Sequence, residues 1–469
     1  MSFGFDLAAT ETGRAGGQTA EAQYVVEAAE AVRFRLVRNA IELTSGNDDN
    51  VTKNWFHPEF THQHFGDSET IFGFKDLDIQ LSFTAASLQL HCKIDFTEKI
   101  QDKALQDQVK PEKLVEQIRD LWPEEQSIST NVDEFRKSVD SDAHFRPYGQ
   151  LTHSYTARDK GTTVKQQKAI HENEHRFEVY VVVADELSEE NKRHFARAQS
   201  FAFWYIDAAV YTDLDDPKWT YFMLYERFTA DGTVRRAFAG YAAVYNYYAY
   251  PEHIRPRVAQ ILILPPFQRF GNGVHLMQAI YNNFVPMKQV VDVTAEDPSE
   301  NFIQLRDFVD AANCSKLASF EAKRLKEGFS GEMATEARAR LKIPKKQARR
   351  VYEILRLKHT DAKNAEEYKA YRLDVKQRLN APFERNKRDF VKLKKALAEE
   401  ELAQMAATES LEQRQALLQA RFEAAVHDYR LIIARLSTHA SKSCMPVAQM
   451  AAAEPTMKPI TNGVTVNGH

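Results

Sequence analysis

The stretch RVAQILILPPFQRFGNGVHLMQAIYNNFV, residues 257–285, constrains the fold more than any other. Alternating aliphatics read as a strand, two prolines stop it, and two glycines one residue apart form a turn. Val274, Met277, Ile280 and Tyr281 then recur at helical spacing. A strand handing over to a helix through small residues exposes the unpaired N–H groups and partial positive charge of a helix start, a natural cradle for a pyrophosphate. It is neither G-x-G-x-x-G nor a Walker loop, because no Gly-Lys-Ser/Thr follows. The glycines alone fit a plain tight turn equally well.

The 469 residues exceed a single core and imply two or three domains. With 43% apolar and 27% charged residues and a net charge of −4, the chain is neither a membrane protein nor a generic polyanion binder. Cys92, Cys314 and Cys444 are few, odd in number and far apart, which suits a reducing compartment. No apolar run approaches the roughly 18 residues of a membrane span, and the N-terminus does not read as a signal peptide. A soluble intracellular protein is expected.

Between unpatterned tails at 1–29 and 438–469, three regions differ in texture. In region 30–155, Leu77, Ile79, Leu81 and Phe83 alternate with polar residues, and Leu88 to Phe96 alternate again after a short link. This predicts a hairpin in a small β-rich domain, with a helix near 110–122. Region 156–320 mixes strands (FEVYVVVAD, WTYFMLYERF, AFAGYAAVYNYYAYP, QVVDVTAED) with helices, the first opening on a Ser–Glu capping signal at SEENKRHF. Region 321–437 is dense in Lys, Arg, Glu, Ala and Leu and predicts a helical domain ending in one or two long helices. The fold class expected is α+β, a mixed sheet with helices.

The strand, the Gln-x-x-Gly-x-Gly turn and the helix together resemble the acetyl-CoA loop of the GCN5-related N-acetyltransferase superfamily. More narrowly, VYNYYAYP, RPRVAQILILPPFQRFGNG, VTAEDPS, QARRVYEILRL, FHPEFTHQHFGDSETIFGFKDL and FRPYGQLTHSY resemble the type B histone acetyltransferase catalytic subunits, over about residues 35–435. The resemblance implies a GCN5-related N-acetyltransferase fold and acetyl transfer from acetyl-CoA to lysines of free, newly made histone H-four. It also implies a WD-repeat histone chaperone of the retinoblastoma-binding type as partner, and residence in nucleus and cytoplasm.

A lysine amine is mostly protonated at neutral pH, so its attack on a thioester needs a base within reach. Glu296 and Asp297 end the apolar strand VVDVTAED, where half-burial is expected to raise a carboxylate toward the working range. The family's base maps onto Glu296, with Asp297 second. Asp207 reads as a lone acid on an apolar helix face where the family has a glutamate. By the resemblance, Ile261, Leu262 and Ile263 present backbone to the pantetheine arm, and Gln268, Arg269, Phe270, Gly271, Asn272, Gly273 and Val274 wrap the pyrophosphate. Ser299 and Asn301 either contact CoA or serve the next helix start. Asp67, Ser68 and Glu69, with Tyr245, Asn246 and Tyr247, are placed along the histone-tail groove.

His171-Glu172-Asn173-Glu174-His175 matches H-E-x-x-H literally but runs into a period-two strand, so no metal is expected. The basic runs PKKQARR and ERNKRDFVKLKK lie in helical patterns with interleaved glutamates and read as solvated helix faces rather than nuclear-import or nucleic-acid patches.

Overall fold

A computed structural model of the chain describes residues 22–43, 55–101, 109–123, 126–158, 174–393 and 411–439. Residues 1–21 and 440–469, with Cys444 among them, and the residues His171 to Asn173 lie outside them. The chain forms two compact units, one of 1–247 with 256–279, the other of 248–255 with 280–469.

The first unit holds two main sheets and two short two-stranded ones. The smaller main sheet is ordered Val32–Val37 (β1), Asp78–Thr84 (β2), Leu90–Asp95 (β3) and Ile128–Ser129 (β4). The expected hairpin is present: β2 and β3 pair antiparallel with Phe83 opposite Leu90 and Ile79 opposite Ile94. Its alternate residues Ile79, Leu81 and Phe83 are buried, as period two requires. The helix expected near 110–122 spans Pro111–Asp120. Residues 22–29, grouped by composition with the tail, instead include a strand, Val25–Glu27, paired with Thr70–Phe72.

The larger sheet runs through Gln150–Arg158 (β5), Glu174–Val183 (β6), Trp219–Ala230 (β7), Thr233–Ala249 (β8) and His253–Ile263 (β9), successive strands being neighbours. Opposite β7, the register shifts so that Leu224 faces Gly240 and Tyr225 faces Phe238, leaving Ala239 as a bulge on β8. Ser188 caps the helix Glu189–Ser200 (α1) by accepting from the Asn191 amide. The helical pattern was expected to run on through WYIDAAV; it breaks at Phe201, and only Ala202–Tyr205 is helical beyond it.

The two main sheets meet in one core through Phe201, whose ring lies 4.6 Å from Phe83 of β2 and 6.1 Å from Phe238 of β8. The fully buried Phe34 ring of β1 lies 5.2 Å from Trp204 and 6.2 Å from Phe201, with Phe83 and Phe56 on its other sides. The hairpin turn is bound from several directions. Asp142 accepts from the amides of Ala86 and Ser87, Arg197 donates to the Ser87 carbonyl, and the Phe238 amide donates to Ala85.

Two histidines of this core set an acid limit. His64 stacks on Trp204 at 3.5 Å, and His194 contacts Tyr225 Oη at 2.9 Å through Nε2. Burial, helped by the charges of His62 and Arg197 respectively, pushes both imidazoles down to about 3. The unfolded chain binds protons at these sites below about pH 6.5 and the folded chain refuses them, so stability falls as pH drops through that window. Urea unfolding at pH 5.0 should show roughly 4 kcal/mol less stability than at pH 7.5; a difference under about 1 kcal/mol would contradict this reading.

The second unit is mainly helical: Glu300–Cys314, Gly331–Leu341, Lys345–Lys358 and two 29-residue helices, Ala365–Leu393 and Leu411–His439. Tyr371, Val375, Phe422 and Val426 pack the long pair together. No helix among the described residues is long and apolar enough to cross a membrane.

Candidate active site

Strand β9 organises the candidate site in the first unit. Val258, Gln260 and Leu262 are buried, while Arg257, Ala259, Ile261 and Ile263 are half-exposed on the other face. The bulge of β8 brings Gly240 against the end of β9, and the Leu264 amide donates to the Ala239 carbonyl. Pro265–Phe267 form a single 3-10 turn, and the chain then reverses through two left-handed residues, Arg269 (φ +67°) and Gly271 (φ +85°). The helix Asn272–Phe284 (α2) follows.

The loop is held from behind. Asn272, 1% exposed, donates from Nδ2 to the Phe267 carbonyl (2.8 Å) and accepts from Tyr155 Oη on β5 (2.6 Å). Tyr155 stacks on His275 at 3.6 Å, and His275 Nδ1 shares a hydrogen bond of 3.0 Å with His153 Nε2. Phe270 packs on the rings of His175 and Phe177. His175 Nδ1 in turn meets Glu226 Oε1 at 2.6 Å, and Arg38 reaches the other oxygen at 2.6 Å. Burial opposes the Glu226 charge, but the His175 hydrogen bond and the Arg38 guanidinium outweigh it and hold the carboxyl below its ordinary range. His175 thus lies on a strand and serves this network, whereas H-E-x-x-H requires a helix.

Gly271 is needed for its backbone angle and not for packing within the chain. A Cβ there would meet nothing closer than His275 Cδ2 at 4.0 Å. Among the described residues, no atom therefore fills the position beside the Gly271 Cα. Gly273 is the second residue of α2. A valine at position 271 pays the left-handed penalty of a β-branched residue, about 1–2 kcal/mol. If this loop holds the acetyl-CoA that the resemblance implies, relaxation of the strained turn in Gly271→Val should raise the KM for acetyl-CoA roughly tenfold. The KM for the acyl acceptor should stay within about twofold in steady-state assays; equal rises in both would contradict a cofactor role.

Other positions gather along β9 through side-chain amides. Gln260 donates to the Val210 carbonyl (2.7 Å) and accepts from Tyr241 Oη (2.7 Å). Gln63 bonds both the carbonyl and the amide of Ala209. The 207–211 turn is thereby tied to Gln260 of β9, and the 62–69 loop to that turn. Asp207 is not on a helix face: it follows the break after Tyr205, is 73% exposed, and lies 3.4 Å from His62 Nε2. Its neighbour Ala208 is left-handed (φ +52°), which makes this a turn and not a helix. In the acidic loop, Asp67 and Ser68 are exposed, but Glu69 turns inward. Its Oε2 accepts from the Thr61 hydroxyl (2.6 Å) and amide (2.8 Å), and these bonds hold its carboxyl below the usual range.

Tyr245, Asn246 and Tyr247 occupy the far end of β8, near Arg257, which precedes Ile261 by four residues or roughly 13 Å of strand. They are not core. Tyr245 is half-buried, donates to Asp216 (2.9 Å) and packs edge-on to Trp219. Asn246 donates to Thr220, and Tyr247, 37% exposed, carries the Arg257 guanidinium 4.5 Å from its ring centre.

Glu296, Asp297 and Ser299 belong to the other unit. The expected buried strand QVVDVTAED is reduced to a bridge at Val290 and two residues, Thr294–Ala295. Glu296 and Asp297 are exposed and not half-buried, because the strand ends before them and Asp297 turns with φ +28°. The buried acid here is Asp292, paired with Arg255 (2.6 Å) and Arg338 (3.3 Å). Ser299 caps Glu300–Cys314 by accepting from the Phe302 amide, and Asn301 is exposed in the first turn.

Sequence reasoning missed Tyr155, His153, His275, Glu226, Gln63 and Gln260. Each acts through a partner distant in the chain, so no local pattern marks it.

Comparisons with known proteins bear on this geometry. Residues 24–207 match the family described as histone acetyl transferase HAT1 N-terminus, and residues 306–357 match histone acetyltransferase type B catalytic subunit, C-terminal. Among curated relatives, the mouse histone acetyltransferase type B catalytic subunit is 38% identical over 418 residues, 89% of this chain and 95% of its own. The human protein of that name is 36% identical, covering 89% and 94%, and one from Cryptococcus neoformans is 31% identical, covering 81% and 89%. A solved aminoglycoside acetyltransferase from a soil metagenomic sample aligns with 26% of this chain and 78% of its own, at 15% identity and a TM-score of 0.20, too slight a likeness to bear on the chemistry. With relatives this similar over nearly their whole length, the chain belongs to the family of type B histone acetyltransferase catalytic subunits and is an acetyltransferase.

Proposed function

We propose that the protein transfers acetyl from acetyl-CoA to lysine ε-amines in the N-terminal tail of free, newly synthesised histone H-four, with Glu296 as general base. The observation that carries this reading is the braced loop at the end of β9, a left-handed turn into a helix start with no described residue packed against the Gly271 Cα. The first amides of α2 and the residues Gln268 to Val274 hold the pyrophosphate, and the half-exposed edge at Ile261 to Ile263 receives the pantetheine arm. The amine attacks the thioester carbonyl directly, its proton passes to Glu296, strand N–H groups stabilise the oxyanion, and CoA leaves as the thiol. Asp297 is the second choice for the base, and Asp207 is a supporting carboxylate. The described cysteines offer no nucleophile for an acetyl-enzyme: burial pushes the Cys92 thiol up to about 12 and Cys314 well above its ordinary value.

Exposed Asp67 and Ser68, with the Tyr245–Tyr247 end of β8, supply an acidic and aromatic path suited to a lysine-rich tail. Ser299 fits a helix cap better than a CoA contact. A WD-repeat histone chaperone of the retinoblastoma-binding type is the proposed partner, with action in nucleus and cytoplasm. Mass spectrometry of histone tail peptides and polyamines, competing for the enzyme with acetyl-CoA, tests the reading. Acetyl-lysine in the histone H-four tail is expected, and preferential acetylation of polyamines would overturn it.

A further inference from the structure

The two basic runs, PKKQARR and ERNKRDFVKLKK, are about 35 residues apart in sequence, yet within the second unit the first of them and the start of the other line one groove. For this purpose Glu300–Cys314 is α3, Gly331–Leu341 α4, Lys345–Lys358 α5, Ala365–Leu393 α6 and Leu411–His439 α7. The groove has a volume of about 740 Å³ and lies between the first turns of α5 and one stripe of α6. Asp374, Arg378, Ala381 and Arg385 fall at spacings of three to four residues on that stripe, so they share a face about 16 Å long.

The interleaved glutamates do not neutralise this face: the exposed Glu384 beside Arg385 is paired with Arg414. Glu353 is fully buried and turned inward, where it accepts a two-pronged contact from Arg378 (2.7 and 2.8 Å), another from Arg349 (3.0 Å) and the Tyr429 hydroxyl. Asp374 is likewise spent on Arg349 and Arg356, each at 2.6 Å. On the rim, Lys345, Lys346 and Arg385 are exposed and have no hydrogen bond or ion pair among the described residues. Lys345 and Lys346 open a helix with no acid in its first turn, so their charges add to the positive helix end instead of offsetting it. Such a concentration is unfavourable until an anion meets it. The floor is apolar: the Phe329 ring, the Ala381 methyl and the aliphatic stems of the basic side chains.

We propose that this groove between α5 and α6 is a docking site for a short acidic peptide segment of a partner protein, which sets carboxylates against Lys345, Lys346 and Arg385 and an apolar side chain over Phe329 and Ala381. Charge complementarity selects an acidic partner, and the apolar floor favours peptide over nucleic acid. The Phe329 ring already carries the Arg349 guanidinium at 5.4 Å and meets Tyr352 at 5.5 Å, so it is not a free platform for a base. The site does not depend on the acetyl-transfer chemistry.

The test is fluorescence anisotropy on the full chain, with a labelled 12-residue peptide of glutamates around a central leucine and, in parallel, a 12-nucleotide single-stranded DNA. The peptide should bind the wild-type protein and lose roughly tenfold in affinity with K345E/K346E, the worth of two rim charges. Ala381→Trp fills the floor without changing charge and should weaken the peptide severalfold. The control K316E/K323E removes the same charge from exposed lysines outside the groove and should stay within about twofold. Acetylation of a histone tail peptide should be unchanged in all three. The proposal fails if the wild-type protein does not bind the peptide, if the control weakens binding as much as K345E/K346E, or if the DNA binds more tightly and is lost with the same groove variants.

Discussion

Replacing Glu296 by glutamine should lower the single-turnover rate of peptide acetylation by about two to four orders of magnitude, the usual worth of a positioned base. The side chain keeps its size and can still hydrogen-bond, but it can no longer take the amine proton. Because the position is exposed, the change should leave folding and the binding of acetyl-CoA nearly untouched. A loss confined to the chemical step therefore separates a base from a structural acid. Asp297→Asn and Asp207→Asn are the internal comparison. Asp207 lies in an exposed turn beside His62, so its loss should cost less than about tenfold. Wild-type rates in Glu296→Gln would eliminate it as the base, and a large loss in Asp297→Asn would move the role one residue on.

The second large effect concerns Gly240, and it is structural. A Cβ built there would lie 2.2 Å from the Leu262 carbonyl oxygen and 3.0 Å from the Ile263 Cα, with φ at +156°. The obstacle is backbone of the strand that carries the loop, so no side-chain rotation relieves it. Gly240→Ala should cost about 3 kcal/mol or more, combining overpacking with a backbone angle that only glycine adopts freely. The melting temperature should fall by roughly 10 °C. Any protein that still folds should bind acetyl-CoA more weakly, because the bulge that seats β9 is displaced. A melting temperature within about 2 °C of wild type would mean that β8 relaxes there at little cost.

The pattern of legibility follows the range of the interactions. The hairpin at 78–95 could be read because alternation is local and one face is buried. The strand, turn and helix at 253–284 could be read for the same reason, with the two prolines and Gly271 marking the reversal. The break after Phe201 could not be read. SEENKRHFARAQSFAFWYIDAAV has a continuous apolar pattern, and the helix ends where Trp204 and Tyr205 turn into the Phe34 cluster. Likewise, VVDVTAED has the composition of a buried strand, but the Val293 amide bonds Lys342, and the ladder stops after two residues.

Short-range periodicity and motifs of neighbouring residues carry the α+β class, the hairpin, the loop that opens α2 and, by resemblance, the acetyltransferase family. What holds that loop follows from contacts made across the fold. Tyr155 arrives from 117 residues away to fix Asn272, and Glu226 from 51 residues away to fix His175. The tertiary structure also decides which carboxylates turn inward and which stay at the surface: Glu69 bonds Thr61, Glu353 bonds Arg349 and Arg378, and Asp292 pairs with Arg255, whereas Asp207, beside His62, and Glu296 are exposed. Charge is written in the residue letter. Whether it is paired or available depends on burial and on partners that only folding brings within about 3 Å.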